Sequence, residues 1–450
     1  MKKQIDVMGS GLIGSLVSIY LAKRGHEVNL FERRVDMRKN RISAGRSINL
    51  ALSDRGFRGL AGAGLQDAIR EIAIPMYGRQ IHHMDGSQSF QPYGKEGQAI
   101  YSVSRGGINM RLMELADQYP NIKIHFEHRC IDVDPKSAKA KVLNEASGEV
   151  VERTPDMVIG ADGAFSPVRH SLQTKTDRFD YSQTYIESGY KELVIPPDAN
   201  GGFQMEKTAL HIWPRKSFML IALPNLDGSF TCTLFLPFEG EVSFSKLNTD
   251  QEITAFMQEY FADALPMMPS YLEDWHANPT SSLSIVRCNP WNYKDKVCLI
   301  GDAAHAIVPF YGQGMNCGFE DCVVLDELME SLGDDNWTEV FNNFSRLRKP
   351  NGDAVAQLAL DNFIEMRDKT GDPKFLLRKQ IESRISKENP SFLSLYAQVT
   401  FSPHISYAQA YQAGQRHDHY LNELASIEQV MDKWNTPEVQ TIIRDLLSAE

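Results

Sequence analysis

The opening of the chain alternates between strand-like and helix-like apolar segments. Residues 4–32 read QIDVMGSGLIGSLVSIYLAKRGHEVNLFE, an apolar run, a glycine turn, a mainly apolar helical stretch and a second apolar run. Strand, turn, helix and strand in this order are typical of a Rossmann-type βαβ unit. The pattern therefore predicts an α/β fold that begins at the first residues of the chain.

Short apolar runs bounded by turn residues predict a second sheet further along. Residues 75–93 alternate in character around Asp85-Gly86, which predicts a hairpin, and residues 180–240 hold several strand-like runs separated by Pro, Gly and Asn. We expect these runs to form a mostly antiparallel sheet, a usual wall for a substrate cavity. One further strand is predicted for KIHFEHRCIDVD, residues 123–134, and another directly before Asp162.

The last third of the chain returns to the first pattern and then becomes helical. Residues 297–330 read as a strand, a Gly-Asp turn, a loop rich in Pro and Gly and a long helix. From residue 337 onwards the pattern is helical, and proline predicts breaks near Pro350, Pro373, Pro390 and Pro403.

Glycines in GxGxxG register make the first turn a candidate dinucleotide site. Gly9 permits the tight turn, Gly11 leaves room for a pyrophosphate, and Gly14 lets the helix pack closely on the strand. Glu32, at the end of the second strand, can accept hydrogen bonds from ribose hydroxyls and would repel a 2'-phosphate. These residues predict the adenosine half of FAD or NAD, against the alternative of a turn that binds nothing.

Composition and charge narrow the functional classes. The chain has 450 residues, 42% of them hydrophobic, and a formal net charge of -11, which disfavours nucleic acid as a partner. The short basic run RLRK at residues 346–349 is interpreted as a solvated helix face. Six cysteines show neither CxxC pairing nor a zinc-like cluster, so we expect no metal and a reduced, cytoplasmic setting. No apolar stretch is long enough to span a membrane.

Three motifs in a fixed order carry a resemblance to a known family. They are GSGLIG at residues 9–14, ADG at 161–163 and LIGDAAHAIVPFYGQGMN at 299–316. Together they resemble the class A flavoprotein monooxygenases, whose fold is like that of p-hydroxybenzoate hydroxylase. More narrowly, the chain to about residue 402 is similar to the kynurenine 3-monooxygenase family, in stretches such as GRSINLALSDRG, SVSRGGIN, FMLIALPN and FSRLRKPNGDA.

The resemblance implies a division into three parts. A discontinuous Rossmann-type FAD-binding domain would comprise residues 1–74, 98–175 and 285–365. A mostly antiparallel β-sheet substrate domain would comprise residues 75–97 and 176–284, inserted into the first. A C-terminal helical region would comprise residues 366–450.

Cofactor contacts follow from the motifs and the resemblance. Asp302 would contact the ribityl or pyrophosphate part of FAD, and backbone amides at the start of a helix would face the flavin pyrimidine edge. From the basic loop after Glu32 we select Arg46, because the apolar SINLAL segment follows it. The predicted FAD contacts are Gly9, Gly11, Leu12, Ile13, Gly14, Glu32, Arg33, Arg46, Ala51, Arg105, Cys130, Asp162, Asp302, Gly314, Met315 and Asn316.

For the substrate, the resemblance implies an arginine, two tyrosines and an asparagine around an amino-acid carboxylate. These match Arg79, Tyr93, Asn362 and Tyr396, although each of the last three could instead be a hairpin, helix-surface or core residue. We do not assign His82, His83 or His305 as acid-base groups, since the flavin-dependent hydroxylation that the resemblance implies needs no strong base. The residues expected to position the aromatic ring are Pro309, Phe310 and Gln313.

The activity implied by the resemblance is hydroxylation of L-kynurenine at ring position 3 in tryptophan degradation. FAD would be bound, and NADPH and O2 would be consumed; one GxGxxG motif suggests that NADPH or NADH binds transiently. The alternatives are a class A hydroxylase of another aromatic acid, a flavin-linked reductase or dehydrogenase, and a flavin-binding regulator. No membrane anchor is expected, and the sequence does not distinguish a monomer from a homodimer.

Overall fold

The fold is described from a computed structural model, which describes residues 2–39, 48–365 and 373–448. Its strands are β1 (Gln4–Met8), β2 (Glu27–Phe31), β3 (Asn49–Leu52), β4 (Ile74–Met76), β5 (Gly78–His82), β6 (Gln88–Pro92), β7 (Ile100–Ser104), β8 (Ile122–His125), β9 (His128–Val133), β10 (Ala140–Asn144), β11 (Val150–Arg153), β12 (Met157–Gly160), β13 (Asp180–Ile195), β14 (Ala209–Arg215), β15 (Phe218–Pro224), β16 (Phe230–Pro237), β17 (Ser281–Asn289), β18 (Asn292–Tyr293) and β19 (Val297–Leu299).

The helices connect these strands and form the end of the chain. They are α1 (Leu12–Lys23), α2 (Asp54–Ala63), α3 (Gln66–Arg70), α4 (Arg105–Ala116), α5 (Pro167–Lys175), α6 (Asp250–Tyr260), α7 (Tyr271–Ala277), α8 (Asp302–His305), α9 (Gly314–Leu332), α10 (Trp337–Ile364), α11 (Pro373–Glu388), α12 (Leu395–Phe401), α13 (Tyr407–Ser426) and α14 (Pro437–Ser448). Pro309–Tyr311 forms a single 3-10 turn between α8 and α9.

A six-stranded sheet in the order β18-β19-β12-β1-β2-β8 forms the first layer. β1 pairs parallel with β2 on one side and β12 on the other. β2 then pairs parallel with β8, and β12 with β19. β18 pairs antiparallel with β19 at the edge of the sheet. Ile5 and Val7 of β1 and Leu16 of α1 are fully buried in the core of this layer. The predicted Rossmann-type unit is confirmed, because the apolar runs before and after the glycine turn are β1 and β2.

A seven-stranded sheet in the order β17-β13-β16-β15-β14-β5-β6 forms the second layer. Its pairs are antiparallel except β14 with β5, which are parallel. The predicted hairpin of residues 75–93 is present as β5 and β6, with His82 opposite Gln88. Phe256 and Trp275, from α6 and α7, pack in the core on one face, and Phe310 packs against Phe235 of β16.

The predicted strand of residues 123–134 is wrong as a single element. β8 pairs with β2 in the first layer, whereas β9 pairs with β10 in a separate three-stranded sheet with β11. Glu127, between them, has φ of +59°, a left-handed conformation that redirects the chain. The alternating pattern continues across the turn, which is why the sequence alone did not reveal it.

The C-terminal residues are helical, as expected, but the break predicted at Pro350 is wrong. Pro350 lies inside α10, which runs without interruption from Trp337 to Ile364. Buried side chains on both sides of the proline, such as Phe344 and Val355, hold the helix against the core. Tertiary packing therefore outweighs the local preference of proline to end a helix. Pro373 begins α11, while Pro390 and Pro403 lie between helices.

The fold class is confirmed by these layers, and the residue boundaries of the three parts stay a prediction. Across residues 2–39, 48–365 and 373–448, no helix combines the length and the apolar character that crossing a bilayer demands.

Candidate active site

The glycine turn between β1 and α1 is closely packed on one side and open on the other. A Cβ atom at Gly14 would lie 1.8 Å from the Gly9 carbonyl oxygen, and a Cβ at Gly9, whose φ is +100°, would lie 2.5 Å from the Ala161 oxygen. A Cβ at Gly11 would meet no atom within 4 Å. Gly9 and Gly14 are therefore required by the fold, whereas Gly11 faces the open space where a pyrophosphate can approach the backbone.

All three sequence motifs meet at this turn. Ala161, which begins the ADG motif, donates its N–H to the Met8 carbonyl at 2.8 Å. Gly301 has φ of +60°, and a Cβ there would lie 2.9 Å from Ile13. A Cβ at Gly318, in α9, would lie 2.4 Å from the same side chain. The three motifs, distant in sequence, are thus adjacent in the fold; that they form one cofactor site stays a prediction.

Glu32 lies where β2 ends, beside the glycine turn. Its carboxylate accepts the backbone N–H groups of Ser10 at 3.2 Å and Arg34 at 3.0 Å. Each carboxylate oxygen has further lone pairs, so the group can still accept ribose hydroxyls. The side chain of the neighbouring Arg33 is exposed.

Asp162 is half-buried, and one of its carboxylate oxygens is buried without a partner. Its Oδ2 accepts the Val168 N–H at 3.1 Å, while Oδ1 has no hydrogen-bond partner in the part of the chain that is described. Burial raises the pKa of Asp162 to about 6, although the hydrogen bonds that it accepts oppose the shift. An unpartnered buried oxygen is costly, and a hydroxyl group of a bound cofactor would satisfy it.

This pKa gives a stability prediction for the flavin-free protein. The folded-state pKa lies above the ordinary value of 3.8, so the folded state binds the proton more tightly and loses stability as pH rises through about 6. Asp162→Asn is therefore expected to raise the free energy of unfolding at pH 7 by on the order of 2 kcal/mol. Below pH 4 the variant and the unmodified protein should have the same free energy of unfolding. Denaturant unfolding at both pH values measures it, and a less stable variant at pH 7 would contradict the assignment.

The start of α9 carries backbone donors that have no partner within the helix. The first turn closes through Cys317 N–H to the Gln313 carbonyl at 2.8 Å, so the N–H groups of Gly314, Met315 and Asn316 lie at the positive end of the helix. The Asn316 side chain is occupied elsewhere. It accepts the Ser53 N–H at 2.9 Å and donates to the carbonyls of Ala51 and Gly312 at 2.8 Å. Its role is to hold the two loops together.

The remaining predicted cofactor residues lie in different elements of the fold. Arg105 begins α4 and is exposed, as is Asp302 at the start of α8. Cys130 is buried in β9, and burial raises the pKa of its thiol. Arg46 lies outside the described residues.

The residues present fit an FAD molecule. The open face of Gly11 leaves space for the phosphate groups. The unpartnered oxygen of Asp162 is a hydrogen-bond acceptor for the ribityl group, and the N-terminus of α9 offers donors to the pyrimidine ring.

A second cluster lies on the face of the seven-stranded sheet. The guanidinium carbon of Arg79, in β5, is 5.3 Å from the ring centre of Tyr93 and 5.2 Å from that of Tyr396. The two rings are stacked at 5.3 Å with an angle of 11° between them. Within the described residues, no acid forms an ion pair with Arg79 and the Tyr93 hydroxyl has no hydrogen-bond partner. Both phenols are protonated at neutral pH, since the ordinary pKa of tyrosine is about 10 and burial raises the pKa of both further.

Tyr311 joins this cluster and was missed by the sequence analysis. Its ring stacks on Tyr396 at 5.8 Å with an angle of 23°. Because it follows Phe310 directly, it brings the arginine cluster beside the loop that leads to α9. Its position in the PFYGQG loop, next to Phe310, is the sequence feature that could have indicated a place in the site.

An apolar wall stands next to the cluster. Phe310 stacks on Phe363 at 4.2 Å and lies 5.0 Å from Phe235 of the sheet; its role in positioning a substrate ring stays a prediction. Pro309, before it, is partly buried. Asn362 donates to the Phe310 carbonyl at 2.6 Å, so the structure shows it supporting this wall.

Behind α9 lies a buried network of charged side chains. Arg348 donates to Asp321 and Glu320, each at 2.6 Å, and Arg55 donates to Glu320 at 2.7 Å. His305 lies 2.6 Å from Asp321. The interpretation of residues 346–349 as a solvated face is wrong for Arg348, which is 3% exposed. Its partners lie 27 and 28 residues away in sequence, so the local pattern could not show the pairing.

The protonation state of His305 follows from its place in this network. Burial alone would lower its pKa, but the Asp321 carboxylate raises it well above the ordinary value, so the imidazolium is the stable form. His305, Cys317 and Asp321 hold potential ligand atoms within 4.8 Å of one another. Arg348 donates to both Asp321 and the Cys317 sulfur, and its positive charge disfavours a cation there. His305 thus pairs with Asp321 of α9, and its exclusion as an acid-base group stays a prediction.

Gln313, predicted to position the substrate ring, is 2% exposed. Its side-chain oxygen accepts the Tyr407 hydroxyl at 2.8 Å. The structure therefore connects the residue before α9 to the first turn of α13.

Comparison with known proteins gives a consistent result. Residues 2–359 match the family model described as an FAD binding domain. The chain is 49% identical to kynurenine 3-monooxygenase of Flavobacterium johnsoniae, over 99% of this chain and 98% of that protein. It is 44% identical to the protein of that name from Dictyostelium discoideum, over 99% and 98%, and 44% identical to that from Sus scrofa, over 89% and 84%.

Solved structures support the fold. The tetrameric form of 2-methyl-3-hydroxypyridine-5-carboxylic acid oxygenase matches with a TM-score of 0.67 and 20% identity, over 84% of this chain and 95% of that one. PqsL from P. aeruginosa, in complex with 2-aminobenzoylacetate, matches with a TM-score of 0.65 and 18% identity, over 82% and 97%. At such identities the likeness concerns the fold alone.

Proposed function

The chain belongs to the family of kynurenine 3-monooxygenases, and from this we propose that it hydroxylates L-kynurenine. The reaction converts L-kynurenine, NADPH, a proton and O2 into 3-hydroxy-L-kynurenine, NADP and water. The observation that carries the proposal is the Arg79, Tyr93 and Tyr396 cluster beside the Phe310 wall. It offers an unpaired cation and a free hydroxyl next to aromatic rings, which suits an aromatic amino acid.

The substrate carboxylate would be held by Arg79. A guanidinium group binds a carboxylate through two parallel hydrogen bonds, and the Tyr93 hydroxyl can donate a third. Both phenols carry their protons at neutral pH, where an ordinary tyrosine is already protonated. With the carboxylate fixed, the aniline ring would extend towards Phe310 and the loop before α9.

When bound, FAD supplies the redox chemistry that takes hydride from NADPH, activates O2 and delivers one oxygen atom to the ring. The chain would hold it through the glycine turn, Glu32 and Asp162, and the α9 amides would stabilise negative charge at the pyrimidine edge. Phe310 and its aromatic neighbours would exclude water and orient the ring. The work of the protein is positioning, since the aniline nitrogen already activates the ortho carbon.

The proposal predicts coupled consumption of both co-substrates. Adding L-kynurenine to the purified yellow protein should make NADPH and O2 disappear in equal amounts, with 3-hydroxy-L-kynurenine as the product. Spectrophotometry, an oxygen electrode and chromatography measure the three quantities. Oxidation of NADPH without O2 uptake would indicate a reductase instead, and hydroxylation of a different aromatic acid would place the protein elsewhere among class A hydroxylases. A colourless protein would contradict every flavin-dependent reading.

The cellular location is a further part of the proposal. We place the enzyme in the cytoplasm, supported by six cysteines that are free and buried. Fractionation of cells tests the location. Light scattering of the purified protein distinguishes a monomer from a homodimer.

A further inference from the structure

We propose that Arg55 is a positioning residue that fixes the substrate-site tyrosine Tyr396 relative to the helix at the flavin site. The inference rests on the proposed function for its kinetic consequence, but not for its structural one. Arg55 lies in the first turn of α2, four residues after Ala51, and none of its surface is exposed.

The guanidinium group of Arg55 caps the C-terminal end of α12. Its Nε donates to the Val399 carbonyl at 2.6 Å and its Nη2 to the Gln398 carbonyl at 3.1 Å. The same Nη2 reaches the carbonyls of Ser402, at 3.3 Å, and Ile405. The last carbonyls of a helix have no partner within it and carry its negative dipole end. A buried cation placed there stabilises both.

The helix held in this way carries Tyr396. α12 has only seven residues, and so short a helix has little stability of its own. Tyr396, at its second position, must keep its ring parallel to Tyr93 and beside Arg79. Displacement of the helix would therefore separate the ring from the predicted carboxylate site.

The other contacts of Arg55 tie the same group to the flavin side. Its Nη1 donates to Glu320 of α9 at 2.7 Å, and Glu320 also accepts from Arg348. Its guanidinium carbon lies 4.2 Å from the ring centre of Tyr407, whose hydroxyl donates to Gln313 directly before α9. One side chain thus joins the helix that faces the flavin to the helix that carries Tyr396.

Arg55→Lys tests the proposal because lysine keeps the charge but cannot form the planar fork. In the flavin-loaded protein we expect amide hydrogen exchange in residues 395–401 to accelerate at least tenfold. Exchange in α9 should be unchanged, because Glu320 keeps its hydrogen bond from Arg348. The KM for L-kynurenine should rise at least tenfold. The KM for NADPH should change by less than twofold, and the flavin absorbance spectrum should not shift. A purely structural residue would instead affect both helices and both KM values.

The matched control is Arg111→Lys, the same substitution in α4. Arg111 pairs with Glu114 at the surface of that helix, so its replacement should leave the exchange of residues 395–401 unchanged. If Arg55→Lys does not fold, Tyr407→Leu removes the ring beneath Arg55 and should accelerate exchange in α12 by a smaller factor.

Three results would overturn the proposal. They are unchanged exchange in α12, acceleration of α9 and α12 alike, and faster exchange in α12 with an unchanged KM for L-kynurenine. The exchange measurement needs no turnover. If the unmodified protein does not hydroxylate L-kynurenine, the proposed function fails, and Arg55 is still judged by whether α12 alone loosens.

Discussion

Arg79→Ala should raise the KM for L-kynurenine at least tenfold and leave the flavin absorbance unchanged. Hydrogen bonds to charged groups contribute about 1.5–3 kcal/mol, and each 1.4 kcal/mol is a factor of about ten in affinity. The guanidinium group has no acidic partner in the part of the chain that the structure describes, so its removal leaves no protein carboxylate unpaired. Steady-state kinetics and an absorbance spectrum measure the two effects.

Arg70→Ala is the control for this variant. Arg70 also lies over two aromatic rings, those of Phe57 at 4.1 Å and Tyr101 at 5.2 Å, but in α3 and away from the cluster. Its loss should change the KM by less than twofold. An unchanged KM in Arg79→Ala would remove that residue from the substrate site, and equal effects of both variants would point to a general loss of packing.

Gly11→Val should give a folded protein that no longer retains FAD. Gly11 has φ of -77°, a conformation open to other residues, and a Cβ there would meet no atom of the chain within 4 Å. The side chain would instead occupy the space expected for the pyrophosphate. We expect FAD affinity to fall at least 100-fold, about 2.7 kcal/mol. Fluorescence titration with FAD and circular dichroism of the flavin-free protein measure binding and folding separately.

Gly14→Ala provides the contrast to that variant. A Cβ at Gly14 would lie 1.8 Å from the Gly9 carbonyl, so the backbone itself would have to move and the fold should be destabilised with or without FAD. If Gly11→Val binds FAD with the original affinity, the cofactor does not approach the turn as proposed.

The first layer of the fold could be predicted from sequence because its signals are local. The strand before Gly9, the helix after it and the strand directly before Glu32 lie within thirty residues, and each is fixed by its own apolar spacing. The seven-stranded sheet was also indicated by strand-like runs. Its order was not, because the pairing of β5 with β14 joins segments that are far apart in sequence.

The site was predictable in part. Arg79, Tyr93 and Tyr396 were selected through a family resemblance, and the structure brings their side chains together; their roles remain predictions. Arg55 and Arg348 could not be recognised, because the burial of an arginine depends on acids and carbonyls that only the fold brings near. Glu320, for example, is 265 residues from Arg55. The turn at Glu127 and the continuous α10 were missed for the related reason that tertiary packing outweighs local propensity.

The parallel pairing of β5 with β14 has a consequence during synthesis on the ribosome. β14 emerges roughly 130 residues after β5, which at about 5–20 residues per second is a delay of roughly 6–26 s. Through that interval the nascent hairpin of β5 and β6 has an open edge that can attract other chains. The strand that bears Arg79 thus gains its second pairing partner late. Chaperone protection of the growing polypeptide would matter most in that period.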